Sequence, residues 1–292
     1  MVETTPPSQD STNPPQDSAN EGAVDDGRVP RPWLAVWSLS CREWRRFIRQ
    51  KNRVIGAIGQ PVLFWVFFGA GLGPTFRLPG TPSGESVFLE YFFPGTLVLI
   101  LLFTAIFTTI SIIEDRREGF LQSVLVAPIP RWSMVLGKLL GSTAIALVQG
   151  LLFLLLGLTI GLSFSLSGLL ALVGFLLVLS LGLTGLGFVI AWKMDSTQGF
   201  HAIMSVFLLP MWLLSGAFFP APGGWLGWVM KANPLTYAVA GVRRLLYVDP
   251  EDVMLADIPP LSICCLVTLA FAAATFLASW RIAAERTSGD LL

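Results

Sequence analysis

Five consecutive ionisable residues, Glu114, Asp115, Arg116, Arg117 and Glu118, stand between two long apolar runs. Their types suit ion pairing and charge-assisted contact with a partner, not covalent chemistry. Asp195, Ser196 and His201 have the residue types of a hydrolase, but all three fall at a loop edge and no nucleophile motif surrounds them. No GxxxxGK[ST] phosphate loop occurs. The Gly137-Lys138 pair has Trp132 five residues before the glycine and Leu139 after the lysine. It therefore lacks both the glycine turn and the hydroxyl that would hold magnesium. No cofactor site is expected, and any ATP hydrolysis belongs to another chain. Cys41, Cys264 and Cys265 show neither zinc nor disulfide spacing and read as small apolar fillers.

The elements that must position these charges are apolar. The chain has 292 residues, of which 53% are hydrophobic and 13% charged, against about 25% charged in soluble domains. The apolar residues gather in runs of about 20, long enough to cross a hydrocarbon core. A transmembrane β-barrel would show short alternating segments instead. The expected fold is an all-α membrane protein with six transmembrane helices, near 54–72, 92–113, 133–160, 168–192, 201–219 and 259–280. Only "GLSFSLS" separates the third and fourth. Pro61 and Pro210 predict kinks in the first and fifth. The many glycines of the third and fourth, Gly137, Gly141, Gly182 and Gly185 among them, permit close helix packing.

Residues 1–32 are rich in Pro, Ser, Asp, Asn and Gln and are expected to be a disordered N-terminal tail. Over 33–53, Trp33, Trp37, Cys41, Trp44 and Ile48 share one helical face, and Arg42, Arg45, Arg46, Arg49 and Arg53 the opposite one. Such a helix lies in a membrane interface and does not cross it. With both termini in the cytoplasm, fifteen of the nineteen Lys and Arg fall inside, as the positive-inside rule requires. The charged group at 114–118 then faces the cytoplasm. It is expected to start a short surface helix whose apolar face is Phe120, Leu121, Val124 and Leu125, ended by Pro128 and Pro130. Periodicity alone leaves two roles open: docking into a groove on a partner, or packing against the bilayer surface.

The stretch "EDRREGFLQSVLVAPIPRWSMVLGKLL" resembles the signature of type-2 ATP-binding-cassette (ABC) exporter permeases. Glu114, Arg116, Gly119, Leu121, Pro128, Arg131, Gly137 and Lys138 stand at matching places; Phe120 and Gln122 depart from the usual Thr and Glu. A second match is "NPLTYAVAGVRRLLY", through Asn233, Pro234, Tyr237, Arg244 and Leu246. The resemblance implies a transmembrane domain over 33–285, a cytoplasmic C-terminal tail at 286–292, and a multi-pass location in the cell inner (plasma) membrane. It implies pairing with a second permease copy, in a homodimer, and with an ABC-type ATPase subunit that binds ATP and Mg. Residues Glu114–Leu125 would be the coupling helix entering that subunit. The arginine-rich helix would be the connecting helix, touching both the ATPase and membrane lipids. Residues 220–258 would form re-entrant half-helices in the outer leaflet, with Asn233, Pro234, Tyr237, Arg243 and Arg244 as outer-gate residues. Arg243 and Arg244 are expected to snorkel outward or meet lipid phosphates, either as gate or as plain anchors.

The implied function is export of a hydrophobic or amphipathic substrate: a drug-like molecule, a lipid or a lipid-linked glycan. The alternative is an ion-coupled secondary transporter, which commonly keeps titratable groups at mid-depth; the spans carry no carboxylate or histidine there. No nucleic-acid partner is expected.

Overall fold

The computed structural model describes residues 31–73, 85–162, 165–220, 223–247 and 258–285. The tails expected at 1–32 and 286–292 therefore fall outside the described residues, except for 31 and 32. All regular structure among the described residues is helical, in the order α1 (Pro32–Arg49), α2 (Lys51–Leu72), α3 (Glu85–Arg117), α4 (Phe120–Val126), α5 (Arg131–Gly157), α6 (Leu166–Trp192), α7 (Thr197–Trp212), α8 (Trp225–Ala232), α9 (Pro234–Leu246) and α10 (Leu261–Ala284). Six of these, with short extensions, are long and apolar enough to cross a membrane: Lys51–Leu72, Phe88–Arg117, Arg131–Ile160, Leu166–Trp192, Thr197–Ala217 and Leu261–Ala284.

α3 is the centre of the bundle. It packs against α2, α5, α6 and α7, and Phe92, Phe93, Leu97, Leu99, Ile100 and Leu101 are fully enclosed. α10 lies on α6 and α9, and α1 on α5. The outer helices turn apolar side chains outward, such as Ile55 and Phe67 on α2, Val206 on α7 and Leu266 on α10. In water such surface would be costly; in a bilayer the same side chains meet lipid.

Two spans, α6 and α7, start a few residues before their apolar runs because a polar cap opens the first turn. Ser165 accepts from the Gly168 amide to begin α6, and Ser196 from the Gly199 amide to begin α7. α2 runs unbroken through Pro61. Pro210, in contrast, precedes a π-helical stretch at Leu213–Ala217 that closes the fifth span, kinked where Gly216 takes φ 76°.

Two boundaries differ from expectation. The arginine-rich segment is not one helix over 33–53: the chain turns at Gln50, which leaves Arg53 on α2. Glu114–Arg117 do not start the surface helix; they form the last turn of α3. The Glu118 amide still donates to the Glu114 carbonyl, and Gly119 then takes φ 74°. That left-handed residue ends α3 and redirects the chain into α4, a conformation costly for any residue with a Cβ.

Candidate functional site: a buried ionic junction and the broken far end

The charges of 114–118 converge with those of α1, α2 and α5 on one end of the bundle. Asp115 is fully buried and meets three cations. Arg42 donates to its two oxygens, from Nη2 at 2.6 Å and from Nη1 at 3.1 Å. Arg46 Nη1 and Lys138 Nζ donate to it as well. Lys138, itself buried, also reaches Glu43 Oε1 at 2.9 Å. Arg46 Nη2 spans Glu114 at 2.9 Å and Glu118 at 3.1 Å, and Arg53 pairs with Glu114. Burial works against the charge on Arg46, but Asp115, Glu114 and Glu118 outweigh it and hold the guanidinium above its ordinary value.

The backbone geometry that permits this junction comes from glycine. α1 crosses α5 so closely that a Cβ on Gly137 would lie 3.0 Å from Leu39 Cβ, and one on Gly141 would lie 2.9 Å from Glu43 Cβ. Ser40 Oγ donates to the Gly137 carbonyl at 2.8 Å across the same seam. Small residues four apart let the two backbones approach, which brings Glu43 within reach of Lys138.

α1 thus has three strips. Val36, Leu39, Glu43 and Phe47 are buried. Arg42, Arg45, Arg46 and Arg49 form the second. Trp33, Trp37 and Ile48 are exposed, while Cys41 and Trp44 are half-buried.

Arg42 joins this junction to α4: its guanidinium carbon lies 3.6 Å from the centre of the Phe120 ring. Leu121 belongs to the core, and Phe120, Val124 and Leu125 pack against it. The apolar face of α4 is therefore turned inward, and the part left outward is Gln122, Ser123 and Val126, the last 84% exposed. Arg116 points the other way. It donates to the carbonyls of Trp192 and Met194 and lies 3.4 Å from Asp195 Oδ1. Arg117 donates twice to the Asp195 carbonyl, at 3.0 and 2.6 Å. These contacts occupy Asp195 as a backbone anchor, while the exposed His201 sits against the Phe107 and Phe200 rings.

Glu43, Asp115 and Lys138 had not been singled out as partners. Signals existed: Glu43 is the only acid in 33–53 and sits off the arginine strip, and Lys138 is a lone charge inside an apolar span. Their pairing across 95 residues is a tertiary fact without a sequence mark.

At the opposite end, Asn233 does more than start α9. Its Oδ1 accepts from the Leu235 amide at 3.0 Å, and its Nδ2 donates to the carbonyls of Met211 and Leu214, at 2.5 and 3.2 Å. Those carbonyls lie where the π-helical stretch disrupts the regular ladder. Pro234 takes the first helical position, where no donor is needed. The Tyr237 hydroxyl donates to the Lys231 carbonyl at 2.9 Å, which ties α9 to α8. Neither arginine snorkels free of the protein. Arg243 is 4% exposed; it donates to the Tyr91 carbonyl at 3.1 Å and lies over the Tyr91 ring. Arg244 donates to the carbonyls of Pro259 and Ile258, at 2.6 and 2.7 Å. Carbonyls inside the fold bind both guanidiniums, although the buried Arg243 Nε itself has no hydrogen-bond partner among the described residues.

Residues 34–247 match the ABC-2 type transporter family. A putative transport permease ycf38 of Cyanophora paradoxa is 29% identical over 209 residues, covering 69% of this chain and 71% of that protein. The daunorubicin resistance ABC transporter permease protein DrrB1 of Streptomyces coeruleorubidus is 23% identical over 256 residues, covering 84% and 87%. A probable multidrug ABC transporter permease, YbhR of Escherichia coli K12, is 27% identical over 175 residues, covering 59% and 47%.

Proposed function

The chain belongs to the ABC-2 type transporter family, and on that premise we propose that it is the permease subunit of an ATP-driven exporter, paired with a second copy of itself. A separate ATPase subunit binds ATP and Mg and docks at the end of the bundle that carries Asp115. That end faces the cytoplasm of the cell inner (plasma) membrane, an orientation that the positive-inside count supports. α4 is the coupling helix, and its outward residues Gln122, Ser123 and Val126 meet the ATPase. α1 is the connecting helix and lies in the interface, with Trp33 and Trp37 toward lipid. α8 and α9 are the half-helices of the outer leaflet, and Asn233 and Arg243 hold the outer closure.

One observation carries this reading. Arg42 binds both Asp115 at the end of α3 and the ring of Phe120 on α4, while Lys138 binds Asp115 and Glu43. A push on α4 is thus transmitted to the central span, to α5 and to α1 as one unit. A loose loop would dissipate it. The ionic junction also argues against ion-coupled transport: both Asp115 oxygens are occupied by cations, so the carboxylate is not free to relay a proton.

The substrate is hydrophobic or amphipathic: drug-like, a lipid or a lipid-linked glycan. The name of the Streptomyces relative makes daunorubicin the first molecule to try. The test is purification of the tagged chain from mild detergent with its partners, followed by reconstitution. A stoichiometric ATPase that hydrolyses ATP in the complex and drives daunorubicin or lipid export supports the proposal. A chain that purifies alone and transports on an ion gradient overturns it.

A further inference from the structure

We propose that the arginine strip of α1 is a binding site for the phosphate of an anionic lipid, with Arg45 and Arg49 as its ligands. The inference rests on the interfacial placement of α1 given above. At the ionic junction, Arg42, Arg46, Arg53 and Lys138 face Glu43, Glu114, Asp115 and Glu118, and every member is in contact with one of opposite sign. The junction is therefore neutral as a set. Arg45 and Arg49 are left over. Both are exposed, and neither side chain makes a hydrogen bond or ion pair among the described residues.

These two surplus cations border a groove of about 540 Å³ lined by Arg42, Arg45, Arg46 and Arg49. Glu118 closes it, but Arg46 holds that carboxylate at 3.1 Å, so it does not cancel the surplus. A phosphate fits such a lining because guanidinium forks bind phosphoryl oxygens in pairs.

The neighbouring strip indicates a lipid phosphate. Trp33, Trp37 and Ile48 are exposed on the same helix, at 68%, 69% and 53%, on a strip that runs from roughly 60° (Ile48) to about 160° (Trp33) away from Arg45 and Arg49 around the axis. A bilayer satisfies both strips together: the acyl region takes the tryptophans and the headgroup phosphates meet the arginines. An acidic protein surface seated on the arginines would satisfy only one of them.

The test uses the full chain in detergent, offered mixed micelles of phosphatidylcholine alone or doped with phosphatidylglycerol, with bound lipid read by native mass spectrometry. The wild type should retain phosphatidylglycerol over phosphatidylcholine. The double variant Arg45→Gln, Arg49→Gln should lose about tenfold of the retained phosphatidylglycerol, with phosphatidylcholine unchanged. Arg45→Lys, Arg49→Lys should lose less. Undiminished phosphatidylglycerol in the glutamine variant overturns the proposal. So does inorganic phosphate that binds the site with no preference among lipids, or a double variant that sheds the ATPase subunit and keeps its lipid.

The placement of α1 is read separately. A fluorophore on Trp37→Cys, in a chain whose Cys41, Cys264 and Cys265 are replaced by alanine, is exposed to doxyl-labelled lipids. An absence of quenching defeats the interfacial placement. Quenching without phosphatidylglycerol preference defeats only the lipid site.

Discussion

Arg42 contacts two elements that each lie more than seventy residues away from it in sequence: its Nη2 lies 2.6 Å from Asp115 Oδ1, and its guanidinium carbon sits 3.6 Å from the Phe120 ring centre. A lysine keeps the charge but neither the planar fork nor the stacked face. Arg42→Ala is therefore expected to lower transport about tenfold or more, and Arg42→Lys to recover only part of it. Flux assays on the reconstituted complex check this.

Asp115 and Lys138 are both buried, so removing one leaves the other uncompensated. Asp115→Ala should destabilise the purified chain by about 3–5 kcal/mol. The double variant Asp115→Leu, Lys138→Met should be closer to wild type than either single change. Thermal unfolding in detergent distinguishes these outcomes.

Gly137 and Gly141 set the distance between α1 and α5. A Cβ on Gly141 would meet the Ser40 carbonyl at 3.0 Å and Glu43 Cβ at 2.9 Å, contacts that backbone cannot easily relieve. Gly141→Val should cost about 1–3 kcal/mol by overpacking and should raise proteolysis of α1, visible on a denaturing gel. A change at Gly174, where an added Cβ meets nothing within 4 Å, is the control.

Asn233→Ala removes the donor to the Met211 and Leu214 carbonyls. The expected loss is about 1–3 kcal/mol, felt locally. Hydrogen exchange should quicken across 211–217 and stay unchanged in α5.

The spans were legible because a hydrocarbon core demands length and apolarity, and both are written along the chain. The Trp and Arg strips of α1 were legible for the same reason of periodicity. The third strip was not, since Val36, Leu39 and Phe47 are apolar residues whose burial depends on glycines 100 residues away on α5. The charged group at 114–118 reads in sequence as the start of a helix because acidic residues favour helix N-termini; here Arg42, Arg46, Arg53 and Lys138 stabilise acids at a C-terminus, overriding the dipole. The amphipathic pattern of α4 was found, but not that its apolar side belongs to this chain's own core. Arg243 was expected at a surface, because nothing in the sequence announces the carbonyls that surround it.

The most direct test of the account is the ratio of substrate moved to ATP hydrolysed in the reconstituted complex, with wild type compared with Arg42→Lys and Val126→Asp. Val126 is exposed on α4, so its change leaves the core intact. The account predicts that ATP hydrolysis persists in Arg42→Lys while transport falls, and that Val126→Asp weakens the hold on the ATPase. Unchanged ratios in Arg42→Lys, together with full ATPase association in Val126→Asp, would contradict it.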